Sequence, residues 1–172
     1  MNWRKVAIGV SFGAVPSGAL TRQSNGIFIA IVKERRWKMV MTGKCLCGKL
    51  AYSVNAEPAV VCVCHCKDCQ RQSGTAFATL VFTPNETFRM EGERKTFTYS
   101  GGSGRAVKSH FCPECGSAVA IDYAVAPNMV AVTSGTLDDT SFIKPSRNIF
   151  CDAAQSWVPV TQNTQNFSGP PS

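Results

Sequence analysis

The stretch Cys62-Val63-Cys64-His65-Cys66-Lys67-Asp68-Cys69 decides how this chain is read. Cys64, Cys66 and Cys69 have the spacing of metal thiolates, and three such ligands leave the fourth position of a tetrahedral ion open to water or substrate. Alternation along a strand would put Cys62, Cys64 and Cys66 on one face. The turn that Cys66-x-x-Cys69 requires interrupts that strand, so Cys62 is expected to be a buried or spare thiol. His65, between ligands, is expected to orient one of them or to pack. Two other readings of the run compete: a closed site with all four cysteines on one ion, and a redox disulfide at Cys66–Cys69.

On either side lie two further pairs, Cys45-Leu46-Cys47-Gly48 and Cys112-Pro113-Glu114-Cys115-Gly116. Both have chelating spacing, and both end in glycine, which accepts the positive φ of a knuckle turn. Four thiolates fill a tetrahedral zinc and leave nothing open. Cys45, Cys47, Cys112 and Cys115 are therefore expected to form a closed site that clips an N-terminal strand to a late hairpin and adds its binding energy to folding. Cys151 is isolated and reads as a small buried apolar side chain.

Composition supports metal over disulfides. The chain has 172 residues, 44% hydrophobic and 17% charged, which suits one domain with a real core. Nine cysteines is an odd number, and their short spacings favour two zinc ions per chain in a reducing, cytoplasmic setting. The net charge of +7 invites a nucleic-acid reading, but its distribution opposes one. Residues 1–40 hold seven cations (Arg4, Lys5, Arg22, Lys33, Arg35, Arg36, Lys38) against Glu34 alone, which leaves +1 for residues 41–172. Zinc thiolates lower that further. No basic face is visible, and no nucleic-acid partner is expected.

Residues 1–40 form an N-terminal extension, expected to be poorly ordered or outside the fold. Their apolar stretches, Val6–Leu20 and Ile27–Val32, are too short or too interrupted to span a membrane. A signal peptide over Met1–Ala19 is the competing reading, but reduced zinc thiolates fit an oxidising compartment badly. Residues 41–160 are the expected domain. Short Val-, Thr- and aromatic-rich runs predict strands at Lys49–Val54, Ala59–Val63, Thr75–Thr83, Lys95–Ser100, Ala106–Phe111, Ala118–Tyr123 and Met129–Ser134. One helical turn is expected at Lys67–Ser73. The polar tail, residues 161–172, reads as disordered.

These motifs resemble a known family. CxCG at Cys45–Gly48, CHCxxCQRxSG at Cys64–Gly74, FCPxCGS at Phe111–Ser117, GTLDD at Gly135–Asp139 and the late Trp157 are similar to the glutathione-dependent formaldehyde-activating (GFA) or centromere-protein-V-type domain. The resemblance implies a mainly β, Mss4-like fold of stacked antiparallel sheets stapled by zinc. It also implies a structural zinc on Cys45, Cys47, Cys112 and Cys115 and a second zinc on Cys64, Cys66 and Cys69.

The implied activity is that of a carbon–sulfur lyase that adds a thiol, glutathione or similar, to formaldehyde or another small aldehyde. His65, Arg71, Gln72 and Ser73 are candidate donors to the alkoxide or contacts to the thiol, and Arg71 is a candidate carboxylate anchor. Asp138-Asp139 reads as a turn, and Trp157 as a packing residue. A non-catalytic zinc-stabilised binding module is the alternative, and a thiol redox or zinc-buffering protein a third.

Overall fold

Val, Thr and aromatic side chains in alternation favour half-buried strands, and the chain between the cysteine groups is built from such runs. The computed structural model describes residues 39–160 and 164–170. Apart from Met39 and Val40, the expected N-terminal extension lies outside the described residues. Eleven strands and one α-helix are present among them: β1 Met41–Lys44, β2 Ala51–Val54, β3 Val60–Cys64, α1 Lys67–Ser73, β4 Ala78–Pro84, β5 Phe88–Glu91, β6 Lys95–Ser100, β7 Ala106–Phe111, β8 Ala118–Tyr123, β9 Met129–Thr133, β10 Arg147–Ile149 and β11 Gln165–Asn166. No helix among them is long and apolar enough to cross a membrane.

The fold is mainly β. A three-stranded sheet has the order β1-β2-β5, and an eight-stranded sheet the order β11-β10-β3-β4-β9-β8-β7-β6. Most pairs are antiparallel, as expected, but β10 runs parallel to both β3 and β11. A long connection from β9, rather than a hairpin, brings β10 in, and only such a crossover allows a parallel entry. The tail also departs from expectation. Gln165 and Asn166 pair with Arg147 and Asn148, and Phe167 N–H donates to the Asn148 carbonyl at 2.9 Å. The open edge of β10 supplies backbone partners that composition does not reveal.

Two-residue periodicity sorts the eight-stranded sheet into two faces. Val61 of β3, Val81 of β4 and Val130 and Val132 of β9 pack with Met41, Leu50, Tyr52 and Val54 from the β1–β2 hairpin in one core. Their neighbours Cys62, Cys64, Leu80, Phe82 and Ala131 lie in a second apolar cluster with Val107, Ile121 and Ile149. The first face holds the two sheets together, and the second carries the site.

Candidate functional site

The two glycine-ended cysteine pairs form the tips of two hairpins. Residues 45–50 connect β1 to β2, and residues 112–117 connect β7 to β8. Each tip closes the same way: Cys45 N–H donates to the Leu50 carbonyl at 2.8 Å, and Cys112 N–H to the Ser117 carbonyl at 3.1 Å. Gly48 at φ 78° and Gly116 at φ 73° take the left-handed turn that a Cβ would strain. One hairpin belongs to each sheet, so this site joins the sheets at their ends.

The four sulfurs of Cys45, Cys47, Cys112 and Cys115 lie within 4.8 Å of one another. Cys47 Sγ is 3.5 Å from Cys45 Sγ and 3.6 Å from Cys112 Sγ. A tetrahedral zinc with Zn–S near 2.3 Å needs sulfurs about 3.8 Å apart, so this soft donor set fits zinc. Leu50 N–H donates to Cys45 Sγ at 3.3 Å. Ser117 Oγ accepts from Leu46 N–H at 3.2 Å and lies 3.3 Å from Cys115 Sγ, tying one tip to the other. The Ser117 hydrogen bonds hold the Cys115 thiol down to about 5.

The second group forms where β3 ends and α1 begins. Cys66 is the N-cap of α1, extended at φ −63° and ψ 154°, and its Sγ accepts from Cys69 N–H at 3.4 Å. That capping turn folds Cys69 back beside Cys66, while Cys64 arrives at the end of β3. The three sulfurs lie within 4.8 Å of one another, and Cys62 is not among them. Cys62 is buried, and burial pushes its thiol up to about 12. Hydrogen bonds from Cys64 and Cys69 hold Cys66 well below the usual thiol range; the bond with Cys66 pushes Cys64 up to about 12, and bonds with Cys64 and then Cys66 raise Cys69. Three convergent thiols with a shared anionic form suit a zinc with one position free.

Cys62, Cys64, Cys66 and Cys69 line a cavity of 540 Å³, within the range of small-molecule sites. Its walls are mostly apolar, with Leu80, Phe82, Val107, Ile149 and Phe150 among them. Phe150 adopts φ 58° and ψ 43°, which is unusual for a bulky residue and marks local strain at the wall. Tyr99 and Tyr123 also line it, and neither hydroxyl has a hydrogen-bond partner among the described residues. Burial pushes the Tyr99 phenol up to about 12 and raises Tyr123 well above its ordinary value, which keeps both far from ionisation.

Among the described residues, Asp68 and Arg147 are the charged residues of the lining apart from cysteine. Arg147 pairs in register with Cys62 across β10 and β3, and the guanidinium pulls against the upward shift of the Cys62 thiol.

The other sequence-selected residues do not line the cavity. His65 is 1% exposed, with Nε2 3.4 Å from Asn148 Oδ1 and the ring tilted on Phe77. Arg71 projects to solvent from α1, Gln72 donates to Ser109 Oγ, and Ser73 Oγ donates to the Cys69 carbonyl at 2.8 Å. Only the first turn of α1 faces the cavity, which is why these three do not reach it. Asp138 accepts from Thr42 Oγ1 at 2.8 Å and Asp139 from Ser141 N–H at 2.8 Å, both in a turn. Trp157 is 72% exposed rather than packed, its indole N–H donating only to Gln155 Oε1. Cys151 is half-buried rather than buried, in the short helical turn that follows Phe150.

Tyr99, Tyr123, Arg147 and Phe150 were not singled out by sequence. Three lie on strands or strand ends whose cavity face is fixed by pairing, and β10 is too short to carry a periodic signal.

Comparison with known proteins gives a family. No curated protein matches the chain. A Rhodobacter sphaeroides protein of known crystal structure is 23% identical, with a TM-score of 0.47 over 59% of this chain and 92% of that one. The family model of the glutathione-dependent formaldehyde-activating enzyme matches residues 40–153. That span contains both sulfur clusters, and the chain belongs to the glutathione-dependent formaldehyde-activating enzyme family.

Proposed function

We propose that the protein adds a thiol, glutathione or a close analogue, to formaldehyde or another small aldehyde in the cavity beside Cys64, Cys66 and Cys69. One observation carries this reading: the three-sulfur cluster, one ligand short of a closed site, faces a cavity large enough for a small thiol. Zinc held by these three cysteines would supply a position that binds the incoming thiol as its thiolate at neutral pH.

The protein's own groups account for the rest. The apolar walls exclude water and strengthen polar contacts inside. The phenol hydroxyls of Tyr99 and Tyr123, protonated at neutral pH, are donors suited to the oxygen that gains charge as the aldehyde is attacked. The carbon–sulfur bond forms as the carbonyl π bond opens. The thiol proton leaves to solvent and an equivalent proton returns to the oxygen, so the product is the hydroxymethyl thioether and no oxidant is needed. Cys45, Cys47, Cys112 and Cys115 take the structural role in the unit spanning residues 41–160. Zinc thiolates persist in a reducing setting, and the cytoplasm is such a compartment.

The test is exchange spectroscopy with ¹³C-formaldehyde and glutathione at equilibrium. The protein is expected to raise the rate of interconversion with S-hydroxymethylglutathione above the spontaneous rate, and Cys66→Ser to abolish the increase. An unchanged rate with the fully metal-loaded protein contradicts the proposal.

A further inference from the structure

Arg147 has a setting that the general reaction does not require. Among the described residues it is the only cation lining the cavity, and it is half-buried. It forms no ion pair or side-chain hydrogen bond among the described residues, although two lysines elsewhere find carboxylates. Register places it on β10 beside Cys62 of β3, one strand across and two residues back from Cys64. With about 3.3 Å per residue along a strand and about 4.8 Å between strands, its Cα lies roughly 8 Å from that of Cys64. A guanidinium on this stem can therefore approach a group carried a few bonds from a sulfur held at the three-cysteine cluster. Arg147 and its register partner Cys62 both line the cavity, which puts the side chain on the cavity side of the sheet. Asp68, the other charged group of the lining, stands on α1 beside the cluster and disfavours a carboxylate there, which leaves the β10 wall for it.

We infer that Arg147 is a specificity-determining residue that selects thiols bearing a carboxylate by pairing with that carboxylate inside the cavity. The inference rests on the thiol-binding reading above and adds the chemical class of the thiol. A planar guanidinium pairs with a carboxylate through two parallel N–H···O bonds, and apolar walls make such a pair stronger than one in water.

The test measures binding of 3-mercaptopropionate and its methyl ester to the zinc-loaded protein by calorimetry, in the wild type and in Arg147→Gln. The wild type is expected to prefer the free carboxylate by ~10-fold or more, the range of a hydrogen bond to a charged group. Arg147→Gln is expected to remove that preference while the ester binds as before. Comparing ratios cancels the different acidities of the two thiols. Equal binding of acid and ester by the wild type overturns the inference and leaves thiol binding intact, whatever the variant does. Equal weakening of both ligands in Arg147→Gln also overturns it, since the charge then serves only the thiolate. Binding of neither thiol overturns the inference together with the reading beneath it.

Discussion

Cys112→Ser is the perturbation with the largest expected effect on the fold. Cys112 is 0% exposed and sits in the core between the sheets, at the tip of the β7–β8 hairpin. Its sulfur lies 3.6 Å from that of Cys47, 65 residues earlier, on the other sheet's hairpin. A metal holding both ties the two sheets at a point where the backbone provides no short link. For a closed loop of this length, chain entropy alone gives a cross-link about 4 kcal/mol. Domains of this size are stable by roughly 5–15 kcal/mol, so the loss is a large fraction of the whole.

At ~2–4 °C per kcal/mol, the melting temperature is expected to fall by roughly 10–15 °C. Cys66→Ser is the matched control. Its site links residues 64 to 69 at one corner of one sheet, so less chain entropy is at stake. That variant is expected to stay folded with one metal fewer, losing less than half as much melting temperature. Circular dichroism melts with metal content by atomic absorption decide the matter. Equal destabilisation by the two variants, or a Cys112→Ser protein that keeps two metals, refutes the division into a staple and an open site.

Other consequences follow from the same geometry. Tyr99→Phe is expected to lower the formaldehyde exchange rate by ~10-fold or more while thiol affinity stays unchanged, the pattern of a lost oxyanion donor; loss of thiol affinity instead would assign Tyr99 to binding. Burial holds the Tyr52 phenol up to about 12, so the folded protein keeps a proton that the unfolded chain loses near pH 10. That stabilisation is whole below pH 10 and is lost as pH rises through 12, roughly 2–3 kcal/mol. Tyr52→Phe should flatten the alkaline arm of a urea-stability profile, and an unchanged arm would count against the burial argument. Stripping metal from the four-cysteine site with a strong chelator should separate the sheets and expose Leu50 and Val54, read as dye binding; a chelated protein with unaltered melting would contradict the staple.

Much of the site is legible in the sequence because metal ligation imposes short, fixed spacings. Gly48 and Gly116 announce their turns, and the capping role of Cys66 follows from the need to fold Cys69 back. Arg147 and Tyr123 are legible only through pairing. Each stands on a strand whose register with its partners determines which wall it joins, and for Arg147 the partner is Cys62, far back in the chain. Arg71 illustrates the reverse: its motif neighbours the ligands, but it is the fifth residue of α1, more than one turn from the helix start, and it ends in solvent. Trp157 shows that an aromatic residue late in a chain is no guide to burial when no strand holds it against the core.

The central claim is that Cys64, Cys66 and Cys69 leave one metal position for an external thiol. Cobalt(II)-substituted protein titrated with glutathione tests it directly through the sulfur-to-cobalt charge-transfer and d–d bands. A saturable rise equivalent to one additional thiolate per chain is expected. Bands that do not change, with two cobalt ions already fully ligated by protein sulfur, would contradict it and favour a zinc-stabilised binding module.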